Sequence, residues 1–130
     1  SEAELGESET RRWARHLDGE RVVLSSLVSK RRGLFSRTRQ LLLTDRPRVI
    51  YIDPRGDEVR GAIPLVPGLV VDQRRSTAMD IIVPGRAYHL AHLKGTPFSR
   101  WAQVLTAIAE QLGSTAAQSA EGGHSSAEGR

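Results

Sequence analysis

The chain has 130 residues, 38% of them apolar, and carries 19 basic against 15 acidic side chains for a formal charge of +4. That length holds one domain with one modest core, and no apolar run approaches the ~20 residues that a membrane-crossing helix needs. The absence of cysteine excludes disulfides, thiolate metal sites and cysteine nucleophiles together.

The chain begins at Ser1 with an acidic stretch, which reads as a piece of something longer and without a secretory signal. Residues 1–7 are expected to be flexible. A short helix is expected from about Glu9 to Leu17, capped by Ser8 and ended by Asp18-Gly19, with Trp13 and Leu17 as its buried stripe. Seven short strand signals follow: Val22–Leu24, Arg37–Thr44, Val49–Ile52, Val59–Ile63, Leu69–Asp72, Met79–Val83 and Ala87–Leu90. The turn-rich DPRGDE stretch after Ile52 marks a hairpin connection, and Pro64, Pro67-Gly68 and Pro84-Gly85 punctuate the rest.

The period then changes. Thr96-Pro97 offers an N-cap and a proline for the first helical position. Phe98, Trp101, Val104 or Leu105, Ile108 and Leu112 recur at three- and four-residue spacing, with Gly113 as a natural stop. Residues 114–130 carry no large apolar side chain, so they are expected to form a disordered tail behind a folded domain of residues 8–113. The order predicts a mainly β fold with α: a seven-stranded bent sandwich or partly open barrel, capped by a C-terminal helix, with an extra short N-terminal helix.

Charge is distributed unevenly. Residues 1–20 carry six acids against three arginines, whereas residues 29–60 carry nine bases against four acids. Seventeen of the bases in the whole chain are arginine, and only Lys30 and Lys94 are lysine. A guanidinium grips phosphate through paired hydrogen bonds, and a local surplus of that size concentrates anions.

The sharpest local feature is Ser29–Gln40, SKRRGLFSRTRQ. Side chains two apart on a strand share a face, so Arg37 and Arg39 point one way and Thr38 the other. If the turn at Gly33 folds back, Lys30 comes beside them, and three cations converge. Arg31 and Arg32 add charge next to them, and Arg60 and Arg86 fall where a sandwich rim could bring them to the same mouth. The bland alternative is a solvated charged face near a hairpin tip. Leu34 and Phe35 are either core or an exposed wedge that enters a lipid interface while the bases meet headgroups. Trp101 lies on the apolar stripe of its helix and reads as core. His16, His89, His92 and His124 are scattered, and His89 and His92, three apart, have no obvious carboxylate companion in the sequence, so no metal site is expected. Phosphate-loop, kinase catalytic-loop and nucleophile-elbow motifs are absent, so neither catalytic residues nor a cofactor are expected.

The stretch KRRGLFSRTRQLLLTDRPRVIYIDPRGDEVRGAIP, from Lys30 to Pro64, resembles the C-terminal pleckstrin homology (PH) domain of the phosphoinositide-dependent protein kinases. The similarity extends without gaps from Trp13 to about Leu90. It takes in Gly33-Leu34-Phe35, the Arg39–Thr44 run, Ile52-Asp53-Pro54, Gly61-x-Ile63-Pro64 and Pro84-x-Arg86-x-Tyr88, and Trp101 resembles the tryptophan of the family's last helix. It covers roughly residues 12–112. The resemblance implies binding of 3-phosphorylated phosphoinositides and of soluble inositol polyphosphates. Its pocket residues would be Lys30, Arg37, Arg39, Arg60 and Arg86, with Arg31 and Arg32 on the headgroup and acidic lipid, and Leu34 and Phe35 at the membrane. The helix around Trp13 resembles that family's extra N-terminal helix. Thr38 stands where the family often has a third arginine, and Arg60 where it often has lysine.

The expected function is therefore a non-catalytic phosphoinositide-binding domain. It would recruit a serine/threonine kinase domain, attached in cis, from the cytoplasm to the plasma membrane as a peripheral protein. The alternative is a protein-interaction domain of the same fold that binds no lipid. Nucleic acid ranks last as a partner, because residues 29–60 supply only Phe35 and Tyr51 as aromatics and no RNA-binding signature.

Overall fold

In the computed structural model the backbone is described for residues 1–128 and the side chains for residues 1–119. All seven expected strands form: β1 (Val22–Arg32), β2 (Phe35–Thr44), β3 (Val49–Asp53), β4 (Glu58–Ile63), β5 (Val70–Arg75), β6 (Ala78–Val83) and β7 (Arg86–Gly95). They make one antiparallel sheet in the order β4-β3-β2-β1-β7-β6-β5. The chain thus runs outward from β1 to one edge, crosses to the other edge at β5, and returns to pair β7 with β1. The sheet bends around its inner face and stays open between β4 and β5.

The helix α2 (Phe98–Glu128) closes that opening. Phe98, Trp101, Leu105 and Ala109 are all buried on it and join Leu24, Val28, Leu41, Leu43, Met79 and Ile81 in the main core. Pro97 accepts the first helical hydrogen bonds, from Arg100 N–H and Trp101 N–H. Thr96 does not cap the helix as its sequence position suggested. Its hydroxyl accepts from Ser25 N–H of β1 (3.2 Å), and its carbonyl accepts from the Ser26 hydroxyl (2.6 Å). Trp101 Nε1 donates to that same Ser26 hydroxyl at 2.8 Å, so the buried indole leaves no polar atom unpaired.

Gly113 does not end α2. A Cβ at this position would meet Pro67 only at ordinary van der Waals distance, and the helix continues through the stretch expected to be a disordered tail. Ala116, Ala117 and Gln118 are good helix formers and no proline intervenes. The side chains of residues 114–119 are exposed, and residues 129–130 of that stretch lie outside the described residues.

The N-terminus also differs from expectation. The helix α1 covers Glu2–Arg12, starts at Ser1, whose hydroxyl accepts from Glu4 N–H, and buries no side chain. A one-turn 3₁₀ segment, Ala14–His16, follows. This helix docks by polar contacts. Ser25 Oγ donates to Glu9 at 2.6 Å, Val22 N–H donates to Thr10 Oγ1 at 2.9 Å, and the Arg100 guanidinium donates two 3.0 Å bonds to Glu2.

Trp13, just past α1, is buried on the outer face of the sheet with Val22, Leu42, Ile50 and Ile52, and Leu17 packs at its side. That cover explains why Leu41–Leu43 and Val49–Ile52 read as continuous apolar runs: both faces of β2 and β3 are buried there. Among the described residues no helix is long and apolar enough to cross a membrane.

Candidate functional site

The site grows out of the β1–β2 hairpin. The turn at Gly33-Leu34 is closed by the pair Arg32↔Phe35. Gly33 has φ of +60°, the conformation required at the first central position of a type II′ hairpin turn, which an L side chain adopts at a cost. Below the turn, Lys30 is directly opposite Arg37, and Val28 opposite Arg39. Opposed residues in an antiparallel pair project to the same face. Lys30, Arg32, Arg37 and Arg39 therefore share the inner face of the bent sheet, beyond the last apolar residues of the core.

The neighbouring strands complete the ring. Lys30 also pairs with Leu90 of β7, so Tyr88 and Arg86, at steps of two, share its face. The Arg86 guanidinium lies 4.3 Å from the Tyr88 ring centroid. Tyr51 of β3 forms the floor: Lys30 Nζ is 4.8 Å from its ring centroid and 5.9 Å from that of Tyr88. Gly61 lies across from Tyr51 on β4, and a Cβ there would collide with the Tyr51 ring. The absent side chain lets the phenol spread over β4. Arg60 beside it closes a hollow of about 270 Å³, walled by Lys30, Arg32, Arg37, Arg39, Arg60 and Arg86 around Tyr51.

Lys30 is the exceptional member. It is only 8% exposed, and among the described residues no carboxylate lies within ion-pair distance of it. Burial, then the charges of Arg86, Arg32 and Arg39, hold its ammonium below the ordinary lysine value. Arg32, Arg37, Arg39 and Arg86 likewise make no ion pair among the described residues, and Arg60 makes only a loose one, 3.9 Å from Glu58. Six cations facing one hollow, with no acid among its walls, is an arrangement that repels itself until an anion enters. A multiply phosphorylated group offers what it lacks: several dianions and many acceptor oxygens for guanidinium forks.

Six of the seven expected basic residues meet here. Arg31 does not. It pairs with Ser36 and projects to the outer face, because the strand alternates and its two neighbours face in. Leu34 is 95% exposed and Phe35 68% exposed at the hairpin tip, so neither is core. Tyr51 is the site residue that the sequence reading missed. Its place two residues after inward-facing Val49 was the available signal. A roomier hollow of about 490 Å³ between α1 and β1 is lined by charges of both signs, Glu2, Glu7 and Asp45 among them. It offers an anion no net attraction, so chemistry and not volume singles out the basic hollow.

A bent seven-stranded sheet plugged by a C-terminal helix, with a ring of cations at its open end, defines the PH class of domain. A family model described as PH domain matches residues 11–113, and the chain belongs to that family. It is 35% identical over 98 residues to the probable serine/threonine-protein kinase pdkA of Dictyostelium discoideum, covering 75% of this chain and 14% of that protein. It is 29% identical over 99 residues to human 3-phosphoinositide-dependent protein kinase 1, covering 76% of this chain and 18% of that protein. To the Caenorhabditis elegans kinase of the same name it is 34% identical over 73 residues, covering 56% of this chain and 12% of that protein. The chain spans less than a fifth of the length of these kinases, and it is a PH domain, not a catalytic one. Among solved structures, the solution structure of the PH domain of human oxysterol-binding protein-related protein 11 superposes with a TM-score of 0.52 at 16% identity. That match covers 70% of this chain and 82% of the other, and shares the fold.

Proposed function

We propose that this domain binds 3-phosphorylated phosphoinositides and soluble inositol polyphosphates in the basic hollow, and that it carries an attached serine/threonine kinase from the cytoplasm to the plasma membrane. The observation that carries this reading is Lys30: a buried ammonium without a carboxylate partner, at the base of five arginines. In a purely structural site such a charge would be paired or replaced. The matches to phosphoinositide-dependent kinases support the same reading.

Arg37→Ala and Arg39→Ala each remove charge-assisted contacts worth roughly 1.5–3 kcal/mol. Calorimetric titration of inositol 1,3,4,5-tetrakisphosphate should show about tenfold to a hundredfold weaker binding for either variant, with melting curves unchanged. Arg31→Ala is the charge-matched control, because that side chain faces away, and it should bind like the parent. Equal losses at positions 31, 37 and 39 would mean diffuse attraction without a pocket. No loss at any of them would leave the protein-interaction alternative standing.

Leu34 and Phe35 act at the membrane in this reading, as an apolar tip beside cationic side chains. Replacing both with serine should weaken binding to phosphoinositide vesicles and leave the soluble headgroup titration unchanged. A matching loss in the titration would show that the tip shapes the pocket instead.

A further inference from the structure

Next to the basic hollow lies a second one, of about 410 Å³, which shares Arg37, Arg39 and Arg60 with it as a common wall. It exists because the pairing of β2 with β3 begins only at Gln40↔Ile52. The half of β2 from Phe35 to Arg39 thus has a free edge on that side. Ser36 and Thr38 line the hollow along this edge, and Arg55 faces them from the turn between β3 and β4. Asp53 is the one acid among the lining residues. Its carboxylate accepts the backbone N–H groups of Arg55 (3.0 Å) and Gly56 (3.3 Å). Those bonds, more than the nearby Arg39 and Arg60, hold its pKa below the ordinary aspartate value. Its charge is committed to shaping the turn.

The turn itself is held from outside. Asp57 N–H donates to the Asp53 carbonyl at 2.7 Å, and Asp57 adopts a positive φ of 52°. Its carboxylate is gripped by Arg15 at 2.6 Å and His16 at 2.7 Å, from the N-terminal 3₁₀ segment. Arg55 is therefore presented on a braced turn, and less ordering cost falls on binding.

We infer that the site has two chambers, and that Arg55, with the far sides of Arg37, Arg39 and Arg60, forms a second subsite for a phosphate group. Each guanidinium of the common wall has donors enough to bond phosphates on both sides. The group entering this chamber is either a further phosphate of one densely phosphorylated inositol ring or the phosphate monoester of a neighbouring acidic lipid. This inference rests on the function proposed above.

The test measures Arg55→Ala beside Lys30→Met, which touches only the first chamber, and beside Arg31→Ala as the control for loss of one charge. In calorimetry with inositol hexakisphosphate, Arg55→Ala should bind about tenfold more weakly, the size of one charge-assisted contact. In flotation with vesicles of phosphatidylcholine and one phosphoinositide, added phosphatidic acid should strengthen binding of the parent. A gain missing in Arg55→Ala assigns the subsite to a second lipid, and a loss confined to hexakisphosphate assigns it to the same ring. Melting curves of Arg55→Ala and Arg31→Ala should match the parent. If Lys30→Met weakens binding while Arg55→Ala equals Arg31→Ala in both assays, the second chamber is overturned and the first stands. If Lys30→Met also binds like the parent, the proposed function falls, and the second chamber with it.

Discussion

Glu20 and Lys30 are ten residues apart at the two ends of the same hairpin, and each is 8% exposed. The fold treats them oppositely. Glu20 receives the Arg48 guanidinium through Nε at 2.9 Å and through Nη2, the Thr44 hydroxyl at 2.5 Å and the Asp18 N–H at 3.2 Å. Lys30 has two aromatic faces and a ring of like charges. A buried charge whose every lone pair is filled holds structure together, and one left without a counterion stores an affinity that only a ligand can release. The end of the hairpin away from the turn is thus built for stability, and the turn end for binding at some expense of it.

The largest effect should come from breaking the satisfied end. Removing one partner of a buried ion pair leaves the other uncompensated, so Glu20→Ala should cost about 3–5 kcal/mol. The pH dependence follows from the same contacts. The hydrogen bonds from Arg48 first, and also from Thr44, lower the Glu20 pKa from 4.5 to about 2. A carboxyl depressed in the folded state contributes stability that is complete above its unfolded value. It is lost as the pH falls through the folded one. The parent should therefore lose about 3 kcal/mol between roughly pH 4.5 and 2 from this group alone. Glu20→Gln should be less stable at pH 7 and show a shallower acid limb, with the two melting curves converging near pH 2. Parallel acid limbs for parent and Gln variant would show that Glu20 is not the group in question.

The same distinction between a filled and an unfilled polar group separates the two tryptophans. Trp101 Nε1 donates to Ser26 in the main core, whereas Trp13 Nε1 is buried without a hydrogen-bond partner among the described residues. Either substitution by phenylalanine sheds comparable apolar area. Only Trp101→Phe gives up a buried hydrogen bond, so it should be the costlier by about 1 kcal/mol. Denaturant melts of the two variants in parallel would decide it, and equal costs would mean that packing alone governs both rings.

How far these features could be read from the sequence depended on which force made them. The seven strands were legible because β-branched and apolar runs are bounded by Pro64, Pro67-Gly68 and Pro84-Gly85, and turn chemistry is local. Lys30, Arg37 and Arg39 were legible because strand alternation is a hard rule. The same rule turns Arg31 away, although the compact Lys30-Arg31-Arg32 cluster invited treating all three alike. The helix α1 was misread because it buries no side chain. Its docking rests on Glu2, Glu9 and Thr10, and an apolar period cannot register contacts of that kind. The extension of α2 past Gly113 was not legible because residues 114–119 are exposed and carry no apolar period for a sequence to show. Tyr51 hid inside VIYI, where an aromatic reads as core. It is core on one side and the floor of the basic hollow on the other, and only the pairing with Gly61 reveals the second role.

The smallest expected effect is the one of opposite sign, and it bears most directly on the comparison of the two buried charges. Lys30→Met keeps the straight stem of the side chain and removes the ammonium. The variant loses the cation–aromatic contacts with Tyr51 and Tyr88, which favour the charge modestly. It is relieved of the burial of an unpaired ammonium and of repulsion from Arg86, Arg32 and Arg39, the causes that lower the Lys30 pKa. The second group of terms is the larger, since replacing buried ionic groups by apolar ones of similar volume is neutral or stabilising. The unliganded Met variant should therefore melt slightly above the parent, by about 1 kcal/mol in stability. It should also bind inositol 1,3,4,5-tetrakisphosphate at least about tenfold more weakly, for want of one charge-assisted contact. A ligand-saturated comparison should reverse the order of melting, because only the parent gains the full linkage stabilisation from bound ligand. A structural lysine predicts something else: stability and affinity falling together, with the parent melting higher in both states. That outcome would place Lys30 in the same class as Glu20 and remove the physical basis for reading the turn end of the hairpin as a binding site.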